Sequence, residues 1–434
     1  MSAFDRIIGY QEQKRELLRY CDVMKNREKY IKLGVSIPMG ILLEGEPGLG
    51  KSTIAHCFIE ECGCNSYTIR KNMPDGDFVK HIRATFEKAR ENAPAIVFLD
   101  DLDKFANEDR MHRDAEEYVV TQACIDDCKD CGVMVIATVN DIRSLPDSLI
   151  RSGRFDKIIL IEKPSAEDAV KILKYYLESK HCLGNIDVEE IAMIIGGFSC
   201  ATVETVINDA GILAGYEGRS HIIHEDVLKA CLREIYAVPE SEDTEDEVTL
   251  KEIAIHEAGH AVIMESFKEG SVGLISISGS RYGKKGVTVR ALRSKRIHSF
   301  KEKEQEVIWE LGGKAATEIV KGRVDVGCFT DIVDAYEDVR SLADNICSFG
   351  FDSYATPDGS EYAREMRDRR ITECLNKYYQ EAKRILIANR DFLDAIVDGL
   401  MEKKTLTYKD ILKIRARFVS NYLDGINRFQ KRQV

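Results

Sequence analysis

The chain is poor in the features that would place it outside the ordinary soluble proteins. It has one tryptophan and 8 prolines in 434 residues. Its longest apolar runs, such as Ala95–Leu99 and Val133–Val139, fall far short of the ~20 residues needed to cross a bilayer. The start, Met1-Ser2-Ala3-Phe4-Asp5-Arg6, lacks the cationic lead and apolar core of a secretory signal, so the reading predicts a cytoplasmic protein. Positive charge is not in excess: the net charge of −12, with no domain-wide basic face, argues against nucleic acid as main partner. Thirteen cysteines, an odd number without an export signal, read as reduced thiols rather than a disulfide framework. Cys124, Cys128 and Cys131, followed by a turn at Gly132, and the pair Cys62 and Cys64 are expected to pack as small apolar groups. What remains is a 44% hydrophobic, 31% charged chain, long enough for about three domains.

Residues 40–160 alternate β-rich runs, Ile41–Glu44, Ala95–Leu99, Val133–Ala137 and Lys157–Ile161, with helical stretches. Continuously apolar strands separated by helices predict an α/β fold with a parallel sheet. From Ser165 to about Ala237 the pattern is helical. A proline-led acidic tract over 239–247 then suits a linker. Beyond it the chain reads as mainly helical, apart from β-like Val272–Gly279 and Gly286–Arg290. The basic residues from Arg281 to Arg296 read as a solvated loop and strand face.

Two motifs carry chemistry. His256-Glu257-Ala258-Gly259-His260 sits in a helical period, so both imidazoles share one face and can grip one cation. Glu257 beside them is placed to take a proton from water, which bound zinc would acidify to a pKa of roughly 7. The second motif is Gly45-Glu46-Pro47-Gly48-Leu49-Gly50-Lys51-Ser52, continuing to Thr53, directly after a strand. It is the pattern of a phosphate-binding loop, in which backbone N–H groups enclose phosphates, Lys51 reaches the β and γ groups of ATP, and Ser52 ligates Mg2+. The next strand ends at Asp100-Asp101. Asp100 is expected in the magnesium shell, and Asp101 to orient or deprotonate the attacking water. Asn140, at the end of a third strand, is expected to meet the γ-phosphate or that water. Arg151 and Arg154, either side of a glycine turn, read as surface charges or as fingers reaching a neighbouring subunit's nucleotide.

With these residues in order, the sequence closely resembles the FtsH family of ATP-dependent AAA+ zinc metalloproteases. The resemblance runs from about Phe4 to the C-terminus and rests on IIGYQEQK (residues 7–14), GEPGLGKST, AIVFLDDLD (95–103), IRSGRFD (150–156), GFSCATV (197–203), HEAGH, LGGKAATEI (311–319) and GCFTDI (327–332). It implies an α/β nucleotide-binding subdomain over 1–162, a helical lid over 163–237, the acidic linker over 238–248 and a mainly α-helical zinc protease domain over 249–434. It also implies that Asp331 is the third zinc ligand beside His256 and His260, in preference to Asp325 and Asp334. The family further implies a homohexamer that pulls unfolded or tagged proteins through a pore, with Arg151 and Arg154 acting across subunits. Glu257 would then serve as general base and as proton donor to the leaving amine.

Three departures accompany the resemblance. Family members carry membrane spans before the ATPase domain, and this chain shows none, so either a naturally soluble relative or a shortened chain is expected. The start at Met1-Ser2-Ala3 favours the former, with soluble proteins as the favoured substrates. The family's glutamate after Asp100 is here the shorter Asp101, and a misplacement of roughly 1 Å can cost on the order of 100-fold in rate. The family's aromatic pore segment falls on Pro74-Asp75-Gly76, with Met73 and Phe78 the nearby bulky groups. The last two leave a second expectation open: a weakly energised zinc peptidase whose nucleotide domain serves ring assembly.

Overall fold

The computed structural model describes residues 2–35, 37–106, 115–151, 153–180, 182, 186–238, 246–278, 286–291, 299–323, 326–345 and 360–418. Asp325, most of the basic stretch and the linker residues 239–245 lie outside the described residues. The chain forms two compact units, one of residues 1–175 with 197–205, the other of 176–196 with 206–434.

The first unit opens with α1 (Gln11–Lys25) and α2 (Arg27–Lys32), then alternates β1 (Gly40–Glu44), α3 (Lys51–Cys62), β2 (Asn65–Ile69), α4 (Asp75–Glu91), β3 (Ala95–Leu99), α5 (Ala115–Asp127), β4 (Val133–Val139), α6 (Asp147–Ile150) and β5 (Lys157–Leu160). The strands form one parallel sheet in the order β2-β3-β4-β1-β5. Strand residues are apolar throughout because both faces are covered. Ile41, Leu43, Ile96, Phe98 and Ile136 face Leu17 of α1 and Ile54 and Phe58 of α3. The alternate residues Leu42, Val97, Leu99 and Val135 face Phe78, Ile82 and Phe86 of α4 and Ile125 of α5. This order makes β3, β4 and β1 neighbours, so the residues following their C-terminal ends share one edge of the sheet.

The expected α/β sheet followed by a mainly helical region is therefore present, and the structure differs from expectation in particulars. The edge strand β2 was not anticipated, because Asn65-Ser66-Tyr67-Thr68-Ile69 is mostly exposed and carries no apolar run. The Pro74-Asp75-Gly76 segment is not a loop: Pro74 caps α4 and Asp75 and Gly76 form its first turn. Phe78 is fully buried and packs edge-on against Phe105 at 5.1 Å.

Four helices follow: α7 (Ala166–Glu178), whose residues up to 175 belong to the first unit, α8 (Val188–Ile195), α9 (Cys200–Tyr216), whose residues up to 205 also belong to the first unit, and α10 (His224–Tyr236). The rest of the second unit comprises α11 (Glu247–Phe267), β6 (Val272–Ser276), β7 (Val287–Arg290), α12 (Phe300–Glu310), α13 (Gly312–Lys321), α14 (Phe329–Asp344), α15 (Glu361–Ala388), α16 (Arg390–Lys403) and β8 (Thr405–Thr407). Asp246 caps α11 by accepting from Thr249 N–H at 2.8 Å, so the last positions of the expected linker are already helical. The strands form an antiparallel sheet in the order β7-β6-β8. Helix α11 is the spine of this unit, buried on nearly every side among α12, α13, α15 and α16.

Helices α11 and α13 touch backbone to backbone. A Cβ added at Gly259 would lie 2.5 Å from Gly312 O and 2.6 Å from Ala316 Cβ, and one added at Gly312 would lie 3.0 Å from Gly259 O. Gly259→Ala would gain helix propensity, yet it forces these helices apart, and overpacking of this kind costs about 1–3 kcal/mol. Denaturation followed by Trp309, the single tryptophan and a residue of this unit, is expected to show that loss. An unchanged midpoint would contradict the close crossing.

Candidate functional site

The phosphate-binding loop joins β1 to α3. Gly48 and Gly50 take left-handed backbone at φ of 80° and 85°, which turns successive N–H groups toward one space. Lys51 is buried, and its ammonium donates to Gly45 O at 2.6 Å, Glu46 O at 2.9 Å and Asn140 Oδ1 at 3.0 Å. Burial lowers its pKa, opposed by Asp101, Asp103 and Asp100. Ser52 Oγ donates to Asp100 Oδ1 at 2.8 Å, and Thr138 Oγ1 donates to the same oxygen at 3.1 Å. Leu49 is buried, whereas Glu46, Pro47, Gly48 and Thr53 are exposed.

The expected nucleotide residues thus converge: Lys51, Ser52, Asp100 and Asn140 form one connected network. Asp101 stands beside it in the left-handed region (φ 54°), its N–H on Thr138 Oγ1 at 2.8 Å and its carboxylate on Lys104 at 2.6 Å. Reading the sequence missed three members. Asp103 accepts from Asn140 Nδ2 at 2.9 Å, Arg70 pairs with Asp100 at 2.8 Å, and Thr138 bridges Asp100 and Asp101. Asp103 closes the AIVFLDDLD segment and Thr138 stands two residues before Asn140, yet neither had a role assigned.

The two arginines differ. Arg151 is exposed. Arg154 is 3% exposed and its guanidinium forks onto Asp126 at 2.8 and 2.7 Å, with a further bond to Ser148 O. Arg154 as it stands is a buried guanidinium clasped by a half-exposed carboxylate rather than a projecting arm. Among the cysteines, Cys62, Cys124 and Cys128 are buried as expected of small apolar groups, while Cys131 is exposed and Cys64 half-buried.

In the second unit α11 presents His256 and His260 one turn apart. Asp331 comes from the first turn of α14, where the helix N-terminus favours a carboxylate. Its Oδ2 lies 3.0 Å from His256 Nε2 and 3.5 Å from His260 Nε2, and the two imidazole nitrogens are 3.1 Å apart. Ligands held at about 2.0–2.1 Å around one tetrahedral zinc are separated by roughly 3.3 Å, so the triangle has the size such an ion requires. Asp331 Oδ2 is shielded from solvent and receives no well-directed hydrogen bond, which suits a metal ligand better than a hydrogen-bond acceptor. Among the described residues this is the one cluster of three or more His, Cys, Asp or Glu able to hold a metal ion.

The surroundings fix the orientation of each group. His260 Nδ1 donates to Trp309 O at 2.8 Å, leaving Nε2 as the ligand atom. Thr288 Oγ1 on β7 donates to Glu257 Oε2 at 2.7 Å. Two glycines make room: a Cβ at Gly313 would lie 2.4 Å from the His256 ring, and one at Gly286 would lie 2.6 Å from Glu257 Oε1. A cleft of about 440 Å³ opens in front of His256, Glu257 and His260, walled by Trp309, Thr288 and residues of α14. Gly313 lies within the LGGKAATEI segment and Gly286 and Thr288 within the β-like Gly286–Arg290, yet none had a role assigned, because only packing brings them to the helix.

Two kinds of site thus define the class: a phosphate-loop ATPase unit and, in the same chain, a helical unit with a two-histidine, one-aspartate cluster. The profile of the ATPase family associated with various cellular activities (AAA) matches residues 41–163. The chain is 30% identical to the ATP-dependent zinc metalloprotease FtsH of Caldicellulosiruptor bescii, over 95% of this chain and 71% of that protein. It is 29% identical to FtsH of Mycoplasma genitalium (94% and 62%) and 27% identical to FtsH 3 of Petrotoga mobilis (98% and 71%). The chain belongs to the FtsH family of ATP-dependent zinc metalloproteases. It spans 62% to 71% of the length of these relatives, and no helix of its described residues is long and apolar enough to cross a membrane.

Burial would raise the Asp331 carboxyl, but His256 and His260 hold it well below the usual carboxylate range. Burial likewise would lower His260, yet the Asp331 and Glu257 carboxylates and the Trp309 carbonyl raise it. A depressed acid stabilises above its unfolded pKa, and a raised imidazole stabilises below its own. The metal-free triad therefore contributes most between about pH 4 and 6.5. Zinc must displace the His260 proton, so affinity is expected to rise about tenfold per pH unit below the imidazole pKa. Zinc titrations read by Trp309 fluorescence at pH 6 and 7 check this, with Gly313→Ala and Asp331→Ala expected to weaken binding at least about tenfold. Affinity that is flat with pH, or indifferent to Asp331→Ala, would exclude this ligand set.

Proposed function

We propose that this protein is an ATP-dependent zinc endopeptidase that unfolds and degrades proteins as a ring of six copies. The reading is carried by the approach of His256, His260 and Asp331 to one point beside Glu257 in an open cleft. The ligand set is His256, His260 and Asp331. Zinc, when bound there, supplies a Lewis acid that polarises a peptide carbonyl and acidifies water. Glu257, oriented by Thr288 through one oxygen, has the other beside Gly286 in the cleft wall and would use it to take the water's proton and pass it to the leaving amine. Trp309 O holds His260 in the tautomer that coordination needs.

Residues 1–162 and 163–237 would act as nucleotide-binding and lid subdomains, and 249–434 as the protease domain. Mg-ATP, when bound at Gly45–Thr53, supplies the phosphoanhydride whose hydrolysis drives unfolding. Lys51 would exchange its carbonyl partners for phosphate oxygens, Ser52 and Asp100 would hold the magnesium shell, and Asp101 and Asn140 would position the attacking water. Arg151 and Arg154 would serve the neighbouring copy, which for Arg154 means releasing Asp126.

A second reading, a weakly energised zinc peptidase whose nucleotide unit supports ring assembly, is favoured by the clasped Arg154 and the buried Phe78. Casein degradation and ATP turnover measured together separate the two. Under the first reading Glu257→Gln lowers proteolysis by at least about 100-fold and leaves ATP turnover, while Lys51→Ala abolishes both. Proteolysis that persists without ATP, or in Lys51→Ala, selects the second.

Asp101→Glu restores the longer arm and is expected to raise ATP turnover, up to the roughly 100-fold that 1 Å of placement is worth. Unchanged turnover in a coupled ATPase assay would mean that the left-handed backbone at Asp101 already compensates.

A further inference from the structure

The cleft beside the histidine–aspartate cluster is lined on one flank by acid. Glu310 ends α12, and Asp334 lies one turn beyond Asp331 on α14; both border the cavity. With Glu306 and Asp338 they make four carboxylates along two packed helices. Two of the four are neutralised. Lys303 Nζ lies 2.7 Å from Glu306 Oε2 and 3.2 Å from Asp338 Oδ2, and Arg290 lies 2.6 Å from Glu306. Lys303 acts on Glu310 only at longer range, where it slightly offsets the rise caused by burial, and neither cation forms an ion pair with Glu310 or Asp334.

The other two carboxylates make no ion pair with any described residue. Asp334 is exposed at the mouth, while Glu310 is partly buried and its Oε2 is sealed from solvent without a hydrogen-bond partner. A carboxylate oxygen withdrawn from water with no donor is costly. Burial, with Asp338, Asp334 and Glu306 adding to it, pushes the Glu310 carboxyl up to about 8, so at neutral pH it keeps its proton until a cation arrives to stabilise the charged form. Next to it the indole N–H of Trp309 is likewise buried and unpaired, and Trp309 walls the same cavity.

Resting on the peptidase reading above, we propose that Glu310 and Asp334 form an acidic specificity subsite that takes a lysine or arginine side chain of the substrate next to the scissile bond. A cationic head would supply the donor that Glu310 lacks and meet Asp334 at the entrance. The apolar stem of such a side chain would lie along Trp309. A second divalent cation fits less well. The one described cluster with three or more ligating groups in reach is His256, His260 and Asp331, and Glu310 and Asp334 add no third member of their own.

The test uses the full chain and matched quenched peptides that differ only in lysine, norleucine or glutamate at positions flanking the cleaved bond, mapped by mass spectrometry. The parent is expected to favour lysine over norleucine by about tenfold in kcat/KM. Glu310→Gln combined with Asp334→Asn should bring that ratio to about one. The same peptides are titrated by fluorescence anisotropy onto the Glu257→Gln form, with and without the two subsite changes, so that binding is read without hydrolysis. Tighter binding of the lysine peptide that the two changes abolish, with no hydrolysis by the parent, keeps the subsite and removes the peptidase reading. Equal hydrolysis of all three peptides by the parent, or a lysine preference that survives the double change, overturns the subsite. So does a second zinc or magnesium per chain that is lost in the double variant. Should the double variant fail to fold by Trp309 fluorescence, the exposed Asp334→Asn alone must still reduce the preference, and an undiminished ratio there also overturns it.

Discussion

The crossing of α11 and α13 at Gly259 and Gly312 is the constraint on which the candidate metal centre depends. Two helices that meet without side chains between them are fixed in separation by their own backbones. That separation brings Gly313 under the His256 imidazole, where only hydrogen fits. It also brings Trp309, at the end of α12 just before α13, close enough for its carbonyl to hold His260. The glycine within the HEAGH motif is thus part of the metal geometry although it ligates nothing. A substitution there would act on the imidazoles through the helix partner, which is how a packing residue acquires a functional effect.

The first unit reaches the same end by another route. Its site is assembled by topology, because parallel strands joined by helices all finish on one side. Three neighbouring strands deliver the glycine loop, Asp100 and Asn140 to a single edge. The hydrogen bonds of Lys51 and Ser52 then join them across the sheet. Here the loop backbone is shaped by positive-φ glycines rather than by helix contact. Preorganisation in both units comes from backbone geometry, with side chains hung on it.

What could be read in advance divides along the same line. Strands β1, β3 and β4 were legible because burial on both faces demands unbroken apolar residues. Helix α11 was legible from its period. The motif residues announced themselves by spacing. The edge strand β2 was illegible because one side of it faces solvent and its sequence has no need to be apolar. Asp331 needed the family resemblance, since a ligand 71 residues beyond His260 leaves no periodic trace in the sequence. Thr288, Gly286 and Gly313 are visible only once packing is known. The start of α4 at Asp75 shows a different limit: the pore segment was placed by resemblance alone, whereas Pro74 is at home just before a helix, where its missing N–H is unneeded.

The departures from the family pattern fall unevenly, and this has a mechanical consequence. Asp101, the helical Asp75 and the clasp of Arg154 by Asp126 all lie in the nucleotide unit, whereas the histidine–aspartate cluster and its glutamate are complete. Under the proposed function, peptide chemistry is then not the slow step; the supply of unfolded chain to the cleft is. Arg154 must leave one partner before it can serve another. Asp126 is half-exposed, so water can take over the carboxylate left behind, and the exchange turns on what the buried guanidinium gains from its new partner. The neighbouring subunit's phosphates would have to supply more charge than Asp126 does. Binding of nucleotide in the ring would therefore be the event that frees Arg154, which makes hydrolysis conditional on assembly by electrostatics alone.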